Sequence, residues 1–151
     1  MSAHPLELRA IATRATLARF KDQPVIWGRN DCARLSAFQL KGLGYKISLA
    51  RFGPYSTEAG GRRALERAGY ADMGEALDDL GLRRLGTKRN PGYASAHTGD
   101  LIGMPGLEGA IAIGVLLGNG RALCFLEGVG CRVVKPLKIV AAWSCPPQFS
   151  R

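Results

Sequence analysis

Histidine is the scarcest chemically useful residue in this chain: only His4 and His97 occur in 151 residues. The four cysteines, Cys32, Cys124, Cys131 and Cys145, form no C-x-x-C pair, and neither histidine is close to any of them in sequence. A zinc site usually shows at least one close pair of ligands, so no metal and no other cofactor is expected. Cysteine is also too sparse for a disulfide scaffold. Four reduced, mostly buried thiols are expected, with a Cys124–Cys131 bridge across a hairpin as the alternative. No uncharged run approaches the ~18 residues that cross a bilayer, so membrane insertion is not expected. The N-terminus lacks the basic-then-apolar order of a secretory signal, because Glu7 and Arg9 interrupt it. The chain is therefore expected to start where it is written and to be made in a cytoplasm.

What is present is apolar material and positive charge. A hydrophobic share of 46% supports a real core, and the length suits one domain. Lys and Arg outnumber Asp and Glu by 21 to 12, a net charge of +9. Such a balance points to nucleic acid, an anionic surface or an acidic partner protein. The nearest thing to a basic patch is Arg62, Arg63, Arg67, Arg83, Arg84, Lys88 and Arg89. No aromatic residues alternate with these charges, as a stacking platform for bases requires. A solvated or protein-facing basic surface is the better reading.

The pattern is helical from Pro5 to about Asp22, with Leu8, Ile11, Ala12 and Ala15 on one apolar face. A short extended segment, residues 24–28, follows. A second helix should begin at Asn30 or Asp31, with Asn30 a good N-cap. Cys32, Ala33, Leu35, Ala37, Phe38 and Leu40 cover most of its circumference, which marks a buried, central helix; Gly42 and Gly44 stop it. Ser56 or Thr57 opens a third helix to about Ala68, and Asp72 caps a fourth through Leu80. After Leu82 the texture changes to glycine, proline and strand formers. Strands are expected at 101–104, 110–117, 121–126, 131–134 and 139–143, with Asn119-Gly120 as a hairpin turn. The expected architecture is a single α+β domain over 1–151. Its parts are an N-terminal helix (1–23), a helical part (24–82) and a sheet part (83–151), with the buried helix packed on an antiparallel sheet.

Cys32 is the residue to weigh for chemistry. It falls in the first turn of the buried helix, where the helix dipole and free amides lower a thiol pKa. The same amides can form half of an oxyanion hole. Asp31 works in the other direction, since an adjacent negative charge raises the thiol pKa. Asp31 is also suited to bonding the first-turn amides. Asp100, behind Gly99, reads as a turn anchor at a strand start. Trp27 reads as packing over the start of the helix. Tyr55 and Tyr93 lie in Gly/Pro-rich loops and are candidates to line a groove.

The segment Trp27-Gly28-Arg29-Asn30-Asp31-Cys32 resembles the nucleophile segment of the NlpC/P60 cysteine peptidases, which share a papain-like core. Gly99-Asp100-Leu101-Ile102 and residues 113–120 are similar to the two strands that follow in that family. A closer resemblance is to a phage-encoded subset of unknown function found among tail-tip genes. Its members carry W-G-x-x-D-C, a block similar to residues 51–60, a helix similar to residues 63–69, a Gly-Asp strand and a final strand with tryptophan, here Ala142-Trp143. The resemblance runs from about Pro24 to Trp143 and implies a papain-like fold with Cys32 at the nucleophile position.

Active NlpC/P60 enzymes start the strand at 112–115 with a histidine, and the aligned residue here is Ala112. Losing a general base and acid removes roughly 10²–10⁴-fold of rate. His97, just before Gly99-Asp100, is the candidate substitute base, and His4 a weaker one. Three functions are therefore compared. The first is a structural tail-tip or baseplate component, made in the host cytoplasm and residing in the virion, docked on other tail-tip or hub proteins. The second is a peptidoglycan endopeptidase using Cys32 and His97. The third is a small basic adaptor that binds nucleic acid. The resemblance and Ala112 favour the first.

Overall fold

A computed structural model of the chain describes residues 4–86, 93–106 and 110–148. It is α+β, with four α-helices and a six-stranded antiparallel sheet. Lys88 and Arg89 of the basic group lie outside the described residues, as does the side chain of Tyr93.

The helices are α1 (Pro5–Phe20), α2 (Cys32–Gly42), α3 (Glu58–Arg67) and α4 (Met73–Asp79). Each opens on a side chain that accepts from an otherwise unpaired first-turn amide: His4 for Leu6, Asp31 for Arg34, Thr57 for Gly60 and Asp72 for Glu75. The cap of α2 is thus Asp31 rather than Asn30. Asn30 is instead buried, its amide bonded to the Ile26 carbonyl and its side chain accepting from Arg19.

The strands are β1 (Arg83–Arg84), β2 (Leu101–Pro105), β3 (Ile111–Leu116), β4 (Ala122–Leu126), β5 (Gly130–Val134) and β6 (Ala141–Ser144). Their spatial order is β1-β6-β2-β3-β4-β5, so the last strand returns to lie between β1 and β2. The β3–β4 turn has positive φ at both Asn119 (59°) and Gly120 (70°), and Arg121 donates to the Gly118 carbonyl. That is the type I′ geometry for which Asn-Gly is suited. β1 is not among the strands expected from sequence. Two arginines carry no strand signal, and they pair because Arg84 forks onto Asp78 while its guanidinium lies 4.9 Å from the Trp143 ring centre.

Alternation along β3 divides the core. Ile113 and Val115 face α2 and pack with Leu35, Leu40, Leu101, Leu123 and Trp143. The other face is a smaller cluster around Leu85, Ile102, Ala122 and Ala142. Leu35 is fully buried, so its truncation to alanine is worth roughly 2–5 kcal/mol. All four cysteines are free. Cys124 stands opposite Arg132 and Cys131 opposite Phe125, so the two thiols leave β4 and β5 on opposite faces and no bridge joins them.

The buried face of α1 differs from the expected one. Arg9, Ala12, Thr13, Thr16 and Phe20 turn inward, while Ile11 is 48% exposed. Polar partners across the interface explain this. Arg9 pairs with Asp100 at 2.7 Å, and Gln39 of α2 meets Thr13, Thr16 and the Gly99 carbonyl. Buried groups satisfied this way can displace isoleucine from a core face.

Candidate functional site

The site is built on the chain that leads into α2. Residues Ile26 and Asn30 bridge antiparallel and force a tight loop between them. At its tip Gly28 has φ +88°, and a Cβ there would stand 2.2 Å from the Tyr55 carbonyl oxygen. Only glycine lets these two segments meet.

Asp31 then ties the loop, the helix and the 50–57 segment together. Its Oδ1 accepts from the Arg34 amide at 2.9 Å; its Oδ2 accepts from the Gly28 amide at 2.8 Å and the Tyr55 hydroxyl at 2.7 Å. The carboxylate is only 2% exposed, and no ion pair involves it among the described residues. Burial and the Asp31 bond push the Tyr55 hydroxyl pKa far up, so it stays a donor.

Cys32 is the first residue of α2 and is partly exposed at the edge of a cavity of about 830 Å³. That is within the size range of small-ligand sites. Its walls come from α2, α3, α4 and the ends of β2, β3 and β4, with Trp27, Tyr55, Leu77, Met104 and Phe125 among the larger side chains.

The Cys32 thiol is pushed up to about 11, first by burial and then by the charge of Asp31; the amides of Ile113, Cys32 and Ala33 pull the other way. The opposition of helix amides and Asp31 was legible in sequence; that burial outweighs both was not. The Ile113 amide is available because β3 and β4 pair only at Val115–Leu123 and Leu116–Ala122, leaving Ile113 beyond the ladder.

The remaining candidate residues are dispersed. His97 is exposed, does not line the cavity, and gives its backbone amide to Asp100 Oδ2 at 2.8 Å. Nearby Gly99 is held by Gln39, which lies about 10 Å along α2 from Cys32 at 1.5 Å per residue. The structure therefore does not bring His97 to the thiol. His4 is engaged as the cap of α1, its Nδ1 accepting from Leu6 at 3.1 Å. Ala112 pairs with Met104, on the sheet face away from α2, and borders the cavity from that side. The β3 side chains on the α2 side are Ile111, Ile113 and Val115.

Asp100 is a buried anchor: besides Arg9 and His97 it accepts from the Cys145 amide at 2.8 Å. Tyr55 lines the cavity, and Trp27, read as packing over the helix start, borders it as well. The Tyr55–Asp31 bond and the Ile113 amide had no sequence signal, because both depend on segments remote from Cys32. Among the described residues, no group of three or more His, Cys, Asp or Glu is placed to hold a metal. No helix there is long and apolar enough to cross a membrane.

Residues 8–145 match the family described as Domain of unknown function (DUF6950). The chain belongs to that family. No curated protein and no solved structure matches it. A family with this description fixes no reaction.

Proposed function

We propose that this chain is a structural component of a phage tail tip or baseplate, built on a papain-like scaffold whose cysteine no longer serves catalysis. The observation that carries the loss of catalysis is the state of Cys32: its thiol is pushed up to about 11 and neither histidine lines its cavity. Such a thiol keeps its proton near neutral pH. Amide hydrolysis also needs a proton delivered to the leaving amine, and the lining residues include no imidazole. Support for the tail-tip assignment is the order of the W-G-x-x-D-C, 51–60, 63–69 and Gly-Asp blocks in the sequence. The adaptor reading has less to stand on, because Arg62 and Arg84 of the basic group are held by Glu58 and Asp78.

A second reading, a peptidoglycan endopeptidase, is favoured by one feature: Cys32 opens α2 at the edge of the cavity, where first-turn amides can serve a bound carbonyl. Peptidoglycan zymograms of the native chain and of Cys32→Ala and His97→Ala decide between the two. The expected result is no clearing that depends on Cys32, together with detection of the chain in purified virions by mass spectrometry. Clearing abolished by Cys32→Ala would overturn the inert-scaffold reading. Absence from the particle would overturn the tail-tip assignment.

A further inference from the structure

A second, shallower concavity of about 630 Å³ lies between the end of α1, the loop before α2, the outer side of α2 and residues 49–54. Four cations line it, Arg19, Arg29, Arg34 and Lys41, and no carboxylate does. None of these four is in an ion pair among the described residues. Arg19 reaches only the neutral Asn30 side chain and stacks 4.4 Å from the Phe20 ring centre. Arg34 Nε is buried and has no hydrogen-bond partner. Uncompensated like charges gathered on one concave surface repel one another, and an anionic occupant relieves that cost.

The surface also has an apolar component. Phe38 stands among the cations, 37% exposed, edge-on to Phe20. The large cavity adjoins it, since Arg34, Ala37 and Leu49 line both. The nearest buried carboxylate, Asp31, is already committed to two amides and the Tyr55 hydroxyl.

We infer that this concavity docks an acidic segment of a partner protein, an extended stretch carrying several carboxylates beside an apolar side chain. The spread of the cations favours a polypeptide over a single anionic head group. Arg34 and Lys41 are seven residues apart on α2, about 10 Å of helix, which matches about three residues of extended chain. Arg19 and Arg29 extend the positive surface onto α1 and the loop. Three of the four are arginines, which bind carboxylates through forked, paired bonds. One phenylalanine is too little for a base-stacking track, which argues against nucleic acid. The inference deepens the scaffold reading by giving the chemistry of a neighbour, and it rests on that reading for there being one.

The test uses the full chain and fluorescence anisotropy. The probe is a labelled twelve-residue peptide with two leucines beside four glutamates. Controls are the same peptide with glutamine for glutamate, a labelled single-stranded oligonucleotide and vesicles containing phosphatidylglycerol. Arg29 and Lys41 are exposed, so the double variant Arg29→Glu, Lys41→Glu should keep the native fold, checked by circular dichroism. Arg121→Glu on the β3–β4 turn is the charge-matched control surface. The expected result is binding of the glutamate peptide that weakens with salt, falls at least tenfold in the double variant and is unchanged by Arg121→Glu.

Equal binding of the glutamine peptide would overturn the inference. So would insensitivity to the double variant, no binding at all, or tighter double-variant-sensitive binding of the oligonucleotide or vesicles. None of these results bears on Cys32. Failure here leaves the inert-thiol argument standing, and clearing in the zymogram overturns that argument without touching this surface.

Discussion

Asp31 and Asp100 invite comparison because each is a buried carboxylate beside a thiol, one pair near each end of α2. Asp31 stands next to Cys32 and is held by three neutral donors. Asp100 stands by Cys145 and is held by two amides and the Arg9 guanidinium. Both thiols are pushed up, Cys32 to about 11 and Cys145 to about 12, with burial the first cause and the carboxylate the second in each. Position at a helix N-terminus does not rescue Cys32 from this. Amides at the helix start pull the thiol down, but burial and the charge of Asp31 outweigh them.

The largest expected difference between the two ends is in stability. Asp100→Ala leaves Arg9 charged and buried with only the Thr98 carbonyl to accept from it, and strands two amides. Breaking a buried pair from one side costs about 3–5 kcal/mol, so the urea midpoint should fall steeply. Asp31→Ala removes a helix cap and two further bonds but strands no cation, and should cost about 2 kcal/mol. If the two variants unfold at the same urea concentration, the guanidinium at Asp100 is not what distinguishes the sites. Tyr55→Phe sharpens the Asp31 side. It removes one hydroxyl donor from a carboxylate that keeps two amides, and should cost about 1 kcal/mol. A loss as large as that of Asp31→Ala would mean that the hydroxyl alone holds the 50–57 segment to α2.

Much of this frame was legible in the sequence, and the gaps have physical reasons. The helix starts at Asp31, Thr57 and Asp72 follow from local cap chemistry, and Asn119-Gly120 sets its turn through its own backbone preference. The central position of β3 follows from its unbroken apolar run. The inward face of α1 was misread because Arg9, Thr13 and Thr16 are buried by partners 23 to 91 residues away. β1 was missed because Arg84 is placed by Asp78 and Trp143, not by strand propensity. At the candidate site, Cys32 and Asp31 could be named from spacing. That burial decides the thiol, and that Ala112 faces away from α2, required the sheet to be in place.

The smallest expected effect concerns the thiols themselves. Iodoacetamide trapping of Cys32 in the native state should rise with pH through about 11 rather than through the ordinary value of 9.0. Asp31→Asn removes the second cause of that shift while leaving burial, so the midpoint should move down by less than one unit, under ~1.4 kcal/mol. A fall all the way to 9.0 would show that charge and not burial holds the thiol, and the comparison with Cys145 would fail. Cys145 is buried outright and should be trapped only through unfolding. The same shifts give stability a sign. Folded thiols keep their protons to about 11 or 12, while unfolded ones release them near 9.0. The folded state therefore binds more protons above pH 9, and stability falls as pH rises. Present in full below pH 9, this contribution should drain away between pH 9 and about 12, read as a urea midpoint that declines across that window. A flat midpoint from pH 8 to 10.5 would mean the thiols ionise in the folded protein as they do in the unfolded chain. Burial would then not be what holds these thiols.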